Sequence, residues 1–223
     1  MVRRGTHGER LQARLRAPRL LYVHADHAPM TVDPNQPALA NPAAESQAWF
    51  RALTDAMAWP GRLHAVGAGL TPPAPLHPAT AAVLLTLVDG ETPLWIDPSA
   101  SAARDWLAAR CGAAFAASPA GCSFALALSL PDLATLPAGG DETPEASATL
   151  ILQVVALGSG ARLRLMGPRL QEPAVLAVDG LTGDFVARWS SNRALYPRGV
   201  DLVLCAGTML AALPRSVTIE AAH

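Results

Sequence analysis

Four arginines offer the plainest chemistry in the chain. Arg162 and Arg164 alternate with leucines, while Arg198 and Arg215 flank an apolar stretch. A guanidinium is a fixed cation whose planar fork meets a phosphate or carboxylate with two hydrogen bonds, so the set describes an anion-binding face. The same residues read equally well as surface cations paired to Asp and Glu, because the chain has no lysine and all 17 basic side chains are arginine. That absence excludes Schiff-base chemistry on a lysine and a phosphate-binding loop of the usual lysine-bearing kind. Asp201 interrupts the apolar run Val200 to Ala206 near its start. A carboxylate there needs a partner, and Arg198 or Arg215 is the obvious one.

The remaining reactive side chains point to no self-sufficient active site. His24-Ala25-Asp26-His27 has metal-ligand residue types but no fourth ligand, and reads as a polar tail. His64 and His77 stand alone, as half-buried or surface histidines usually do. Asp89 and Thr92 fit a cap and turn better than a catalytic carboxylate. Cys111, Cys122 and Cys205 are odd in number and widely spaced, which favours reduced thiols over disulfides or a zinc site; Cys205, inside the apolar run, reads as a small core residue. There is no Gly-x-Gly-x-x-Gly, Gly-x-Ser-x-Gly, His-Glu-x-x-His or Cys-x-x-Cys motif.

The elements that would position these groups follow from periodicity. Trp49, Phe50, Leu53 and Met57 predict a helix from about Glu45 to Trp59, stopped by Pro60-Gly61, with Arg51 and Asp55 four residues apart on its other face and able to pair. Further helices are expected at Ala79 to Val88, at Ser101 to Arg110 with Ser99 or Ser101 as cap, and at Gly183 to Ala194 with Phe185, Val186 and Trp189 inward. Short strands are expected at Arg62 to Val66, Leu94 to Ile96, Ala113 to Ala116, Ser123 to Leu128 and Pro173 to Val178. Thr149 to Leu157 and Ala161 to Met166, joined by Gly158-Ser159-Gly160, read as a hairpin. Its first strand is apolar on both faces except at Gln153, while the arginines of its second give one polar face or cleft wall. Val200 to Ala206 and Met209 to Leu213 form a second hairpin, and Ser216 to Glu220 a last strand. Strands and helices without a regular βαβ rhythm, ending in hairpins, predict a single α/β domain with a mixed sheet and flanking helices.

At 223 residues and 51% apolar, the chain can bury one full core. Residues 1 to 29 carry six arginines against Glu9 and Asp26, leaving the rest mildly acidic within a net charge of -1. This gives no electrostatic case for nucleic acid or an anionic membrane. No apolar run reaches the roughly 20 residues that span a bilayer. Without a signal-peptide stretch, the expectation is a cytoplasmic protein. Residues 1 to 44 read as an atypical, poorly ordered extension, with Met30 as a second possible start, and 45 to 223 as the domain.

Five blocks resemble a known family in order and spacing. They are Phe50-Arg51-Ala52-Leu53 with Ala56 to Gly61; Ala82 to Asp89 with Glu91 to Trp95; Ala148 to Val154 with the Gly-Ser-Gly turn and Arg162 to Leu165; Pro197 to Leu204; and Leu213-Pro214-Arg215. They resemble the PhnH subunit family of the bacterial carbon-phosphorus lyase system. The resemblance implies a fold similar to pyridoxal-phosphate transferases but without that cofactor, with no bound cofactor or metal. It implies a homodimer within a complex of PhnG, PhnI and PhnJ subunits, with PhnL acting alongside. The implied role is support for transferring the ribose 5-triphosphate unit of ATP to an alkylphosphonate with release of adenine, in phosphonate catabolism; the alternative is a non-catalytic scaffold subunit. Arg51, Asp201 and Arg215 are then the candidates for a functional cleft or interface. The family usually carries His-Pro-x-Pro where this chain has Tyr196-Pro197, so no role of that histidine transfers.

Overall fold

The computed structural model describes residues 42 to 222, and the 24 to 27 cluster and the proposed extension up to residue 41 lie outside them. The described residues form a six-stranded mixed sheet, a three-stranded antiparallel sheet and four α-helices. The helices are α1 (Pro42–Ala58), α2 (Pro78–Leu87), α3 (Arg104–Cys111) and α4 (Phe185–Arg193). The strands are β1 (His64–Ala65), β2 (Leu94–Ile96), β3 (Phe124–Ala127), β4 (Thr149–Gln153), β5 (Ala156–Met166), β6 (Ala174–Asp179), β7 (Asp201–Ala206), β8 (Met209–Leu213) and β9 (Thr218–Ala222).

The larger sheet runs β1-β8-β7-β4-β3-β2, with β7, β4, β3 and β2 parallel and β8 and β1 antiparallel to their neighbours. Both faces of this sheet are covered, which is why its strands read as unbroken apolar runs. Leu150, Leu152, Leu202 and Leu204 point into a core shared with the smaller sheet and α4. Ile151, Val203 and Cys205 point into a second core under α1, α2 and α3. The alternation divides one sequence between two cores, and each buried leucine contributes about 2 kcal/mol.

The expected hairpin across Gly158-Ser159-Gly160 does not form. β4 stays in the larger sheet, and after two residues the chain begins β5 in the smaller one, whose order is β6-β5-β9. Val154 N–H donates to Cys205 O at 2.9 Å, in the larger sheet, and Val155 N–H to Asp179 O at 3.0 Å, beside the smaller. The glycines lie inside β5 as a bulge, where Val178 faces both Leu157 and Ala161. Two glycines with intervening serine are a turn signal, but the same backbone freedom builds a bulge in a long strand. Gly160 has φ +89°, and a Cβ there would lie 2.6 Å from Val178 O.

Other differences are local. Residues 113 to 116 contribute only a bridge between Phe115 and Leu94 rather than a strand. The segment before α3 is a 3-10 turn, Pro98–Ala103, capped by Asp97, whose carboxylate accepts from Ser99 N–H at 2.9 Å; neither Ser99 nor Ser101 caps α3. The strand at 62 to 66 shrinks to His64–Ala65, and the last strand, β9, shifts to residues 218 to 222 and joins the smaller sheet. α4 follows the expectation, with Phe185 and Trp189 buried and stacked at 6.3 Å. Its Asn192 side chain receives Val200 N–H at 2.8 Å and donates to Val200 O at 2.9 Å, fixing the chain as it enters β7.

Candidate functional site

Two polar clusters sit at opposite ends of the parallel strands. At the start of β7, Asp201 and Arg215 form a two-pronged ion pair. Arg215 Nε lies 3.1 and 3.2 Å from Oδ1 and Oδ2, and Nη2 lies 2.5 Å from Oδ2. Arg215 backbone N–H also donates to Oδ1 at 2.7 Å, and Nη1 donates to Pro144 O at 2.7 Å. The side chains are only 16% and 14% exposed. β7 and β8 run antiparallel, so the first residue of one and a residue just beyond the end of the other meet; sequence separation 14 becomes contact. The partner inferred for Asp201 is therefore Arg215, and Arg198 goes elsewhere, to exposed Asp141 at 3.0 Å.

Arg51 does not join this pair. It is exposed on α1, and among the described residues it makes no bond to Asp55, Asp201 or Arg215. The expected Arg51–Asp55 pair is absent, as is common for exposed i, i+4 charges whose net attraction is a few tenths of a kcal/mol, about 0.3–0.5. Of the four arginines read as an anion face, Arg198 and Arg215 are thus neutralised by acids. Arg162 and Arg164 stand exposed on β5 with Leu163 and Leu165 buried beneath, as their alternation predicted.

The opposite end of the sheet holds a cluster that single-residue reasoning missed. Gln153, the last residue of β4, accepts His77 N–H at 2.7 Å and Thr80 Oγ–H at 2.8 Å through Oε1, and donates to Pro75 O at 2.8 Å. His77 precedes α2, and its Nδ1 accepts Gly207 N–H at 3.1 Å from the β7–β8 turn. The neutral ring therefore carries its proton on Nε2. Burial pushes His77 below the usual histidine range. On β7, burial pushes the Cys205 thiol up to about 12, so this cysteine is an inert core residue. An open cleft of about 310 Å³ borders the cluster, lined by His77, Leu128, Gln153, Val154, Val155 and Gly180. The visible signal was Gln153 itself, the one amide in an apolar strand, which had to find partners.

Asp89 behaves as a turn residue. Its Oδ1 accepts Glu91 N–H at 2.9 Å, the Thr92 hydroxyl at 2.9 Å and Thr92 N–H at 3.0 Å, and these bonds, the Glu91 amide and then the Thr92 hydroxyl foremost, hold its carboxyl below the usual range. Among the described residues no group of His, Cys, Asp and Glu has metal-site geometry. Nor is any helix there long and apolar enough to cross a membrane.

The polar clusters are thus largely satisfied from within the chain, and neither pairs a nucleophile with a base. Relatives supply the context. The family model for the bacterial phosphonate metabolism protein PhnH matches residues 37–220. The chain is 38% identical over 188 residues to the protein of Rhizobium meliloti (strain 1021) named alpha-D-ribose 1-methylphosphonate 5-triphosphate synthase subunit PhnH, covering 82% of this chain and 94% of that one. It is 35% identical over 184 residues to HtxG of Stutzerimonas stutzeri, provisionally named a C-P lyase subunit protein, covering 81% and 90%. With the match spanning nearly every element described above, the chain belongs to the PhnH family of bacterial phosphonate metabolism proteins.

Proposed function

We propose that this chain is a cytoplasmic subunit of a carbon-phosphorus lyase core complex. There it supports transfer of the ribose 5-triphosphate unit of ATP to an alkylphosphonate, with release of adenine. The observation carrying this reading is the 38% identity, across 94% of its length, to a protein named as a subunit of the corresponding synthase. On this reading it forms a homodimer and assembles with PhnG, PhnI and PhnJ, while PhnL acts alongside. On the same reading its fold is similar to that of the pyridoxal-phosphate transferases without the cofactor, and the chain has no lysine to hold one.

Deleting the gene tests the proposal: growth on methylphosphonate as sole phosphorus source is expected to stop, and normal growth overturns it. A second reading, a scaffold that only docks and stabilises its partners, is favoured by the internal commitment of Asp201 and Arg215 to each other and to Pro144. Arg215→Ala separates the two. If the complex assembles but adenine release stops, the transfer-supporting role stands; if assembly alone fails, the scaffold reading does.

A further inference from the structure

We propose that the groove between the β5 bulge and the α1–β1 link binds a phosphate-class oxyanion, with Arg162 as the charged contact. The groove holds about 410 Å³ and is lined by Gly61 and Leu63 on one side, and by Gly158, Ser159, Gly160, Arg162, Val175 and neighbours on the other.

The argument starts from the backbone. In β5, Leu157 and Ala161 both face Val178, which leaves Gly158, Ser159 and Gly160 without partners in the ladder. Their φ angles of +90° and +89° at the two glycines require residues without a Cβ. At Gly160 the room is also lacking, since a Cβ would sit 2.6 Å from both Val178 O and Asp179 Cα. The result is a short glycine-rich segment carrying peptide N–H groups and one serine hydroxyl at a groove wall, donors that suit an anion. Gly61, at φ +93°, lets the opposite wall pass close to the smaller sheet, where its Cβ would meet Ala174 Cβ at 3.0 Å.

Charge supplies the second, independent observation. Arg162 is exposed, lines the groove and makes no ion pair among the described residues. Arg62, between the lining residues Gly61 and Leu63, places its guanidinium 4.8 Å from the Trp59 ring, and Arg169 lies 5.6 Å from the same ring. Both are exposed and neither is paired to an acid among the described residues. Arg162 is thus the guanidinium that lines the groove, with a planar fork suited to an oxyanion, while Arg62 and Arg169 are engaged with the Trp59 ring. Two acids oppose it: Glu220 on β9, which faces Arg164 across the strand pair, and Asp179. Asp179 is exposed on the same face of β6 as Ala177, which faces Arg162, and its carboxylate sets an upper limit on the positive potential.

The test is a calorimetric titration of the full-length protein with inorganic phosphate, methylphosphonate and tripolyphosphate in separate runs. Saturable binding is expected. Arg162→Ala should weaken it about tenfold or more, the effect of losing one charged hydrogen-bond donor. Ser159→Asp, which sets a carboxylate in the groove without touching the core, should weaken it comparably, and Asp179→Asn should tighten it a few-fold. Arg198→Ala, at a cation already paired to Asp141, should leave it unchanged. Equal binding of phosphate and methylphosphonate supports a single-oxyanion site at Arg162. Absence of saturable binding for all three probes overturns the proposal, as does an equal loss in Arg162→Ala and Arg198→Ala, which would mark diffuse attraction. The titration uses the isolated chain, so its failure is distinct from that of the growth experiment, which reads the whole system.

Discussion

The two ends of the six-stranded sheet are closed by different physics. Where β7 begins, a carboxylate and a guanidinium lock together and reach across to the Pro144 carbonyl, so two charges stand mostly out of water. Where β4 ends, a neutral amide gathers a backbone N–H, a hydroxyl and a carbonyl, with a neutral imidazole alongside. Removing one member of a partly buried ion pair strands the other charge, whereas removing the amide strands only dipoles. The charged end should therefore be the more brittle, and the neutral end the more tolerant and the one free to border a cleft. The residue pair that looked most like a site is at the closed end.

Substitutions at each end can break that comparison. Arg215→Ala, leaving Asp201 without its partner, should cost about 3 kcal/mol in urea unfolding, and adding Asp201→Ala should restore part of the loss. Gln153→Leu should cost about 2 kcal/mol by the same measurement, through three orphaned partners. A larger loss from Gln153→Leu than from Arg215→Ala would invert the comparison.

Acid should act next, and selectively on the neutral end. The folded His77 sits below the ordinary histidine value of 6.5, so the unfolded chain takes up its proton first as pH falls. Stability is then retained at neutral pH and declines as pH drops through that ordinary value. The melting temperature should fall between pH about 7.5 and about 5.5, the range of histidine titration, and less steeply in His77→Asn, whose amide oxygen can still accept from Gly207. An unchanged slope in that variant would remove His77 from the account. The smallest effect is chemical: Cys205, pushed up to about 12 and fully buried, should resist alkylation in the native state, while half-buried Cys111 labels first. Early labelling of Cys205 would show that the neutral end opens far more often than its hydrogen bonds imply.

Much of this architecture was legible in the residues. The Val200 to Leu213 hairpin, the buried helix at Ala79 and the amphipathic helix around Trp49 follow from apolar spacing. The polar partner of Asp201 followed from the cost of leaving a carboxylate alone. What could not be read was where a strand changes sheet. Leu150 to Val155 is apolar throughout apart from Gln153, and no periodicity distinguishes a strand that turns back from one that crosses a core. Gly158-Ser159-Gly160 carries the same residue types for a turn and for a bulge, and only pairing partners far along the chain choose between them. His77 looked solitary for a similar reason: its partners Gln153 and Gly207 lie 76 and 130 positions away.

The crossing at Val154 and Val155 has a kinetic consequence. Two consecutive amides are tied to different sheets, one through Cys205 and the other through Asp179, so their exchange with solvent deuterium reports two openings from adjacent positions. Matching rates for the pair mean that the sheets come apart as one cooperative unit. A faster Val155 means that the smaller sheet can detach while the larger persists, and the two-residue corner is then the seam along which the protein first gives way.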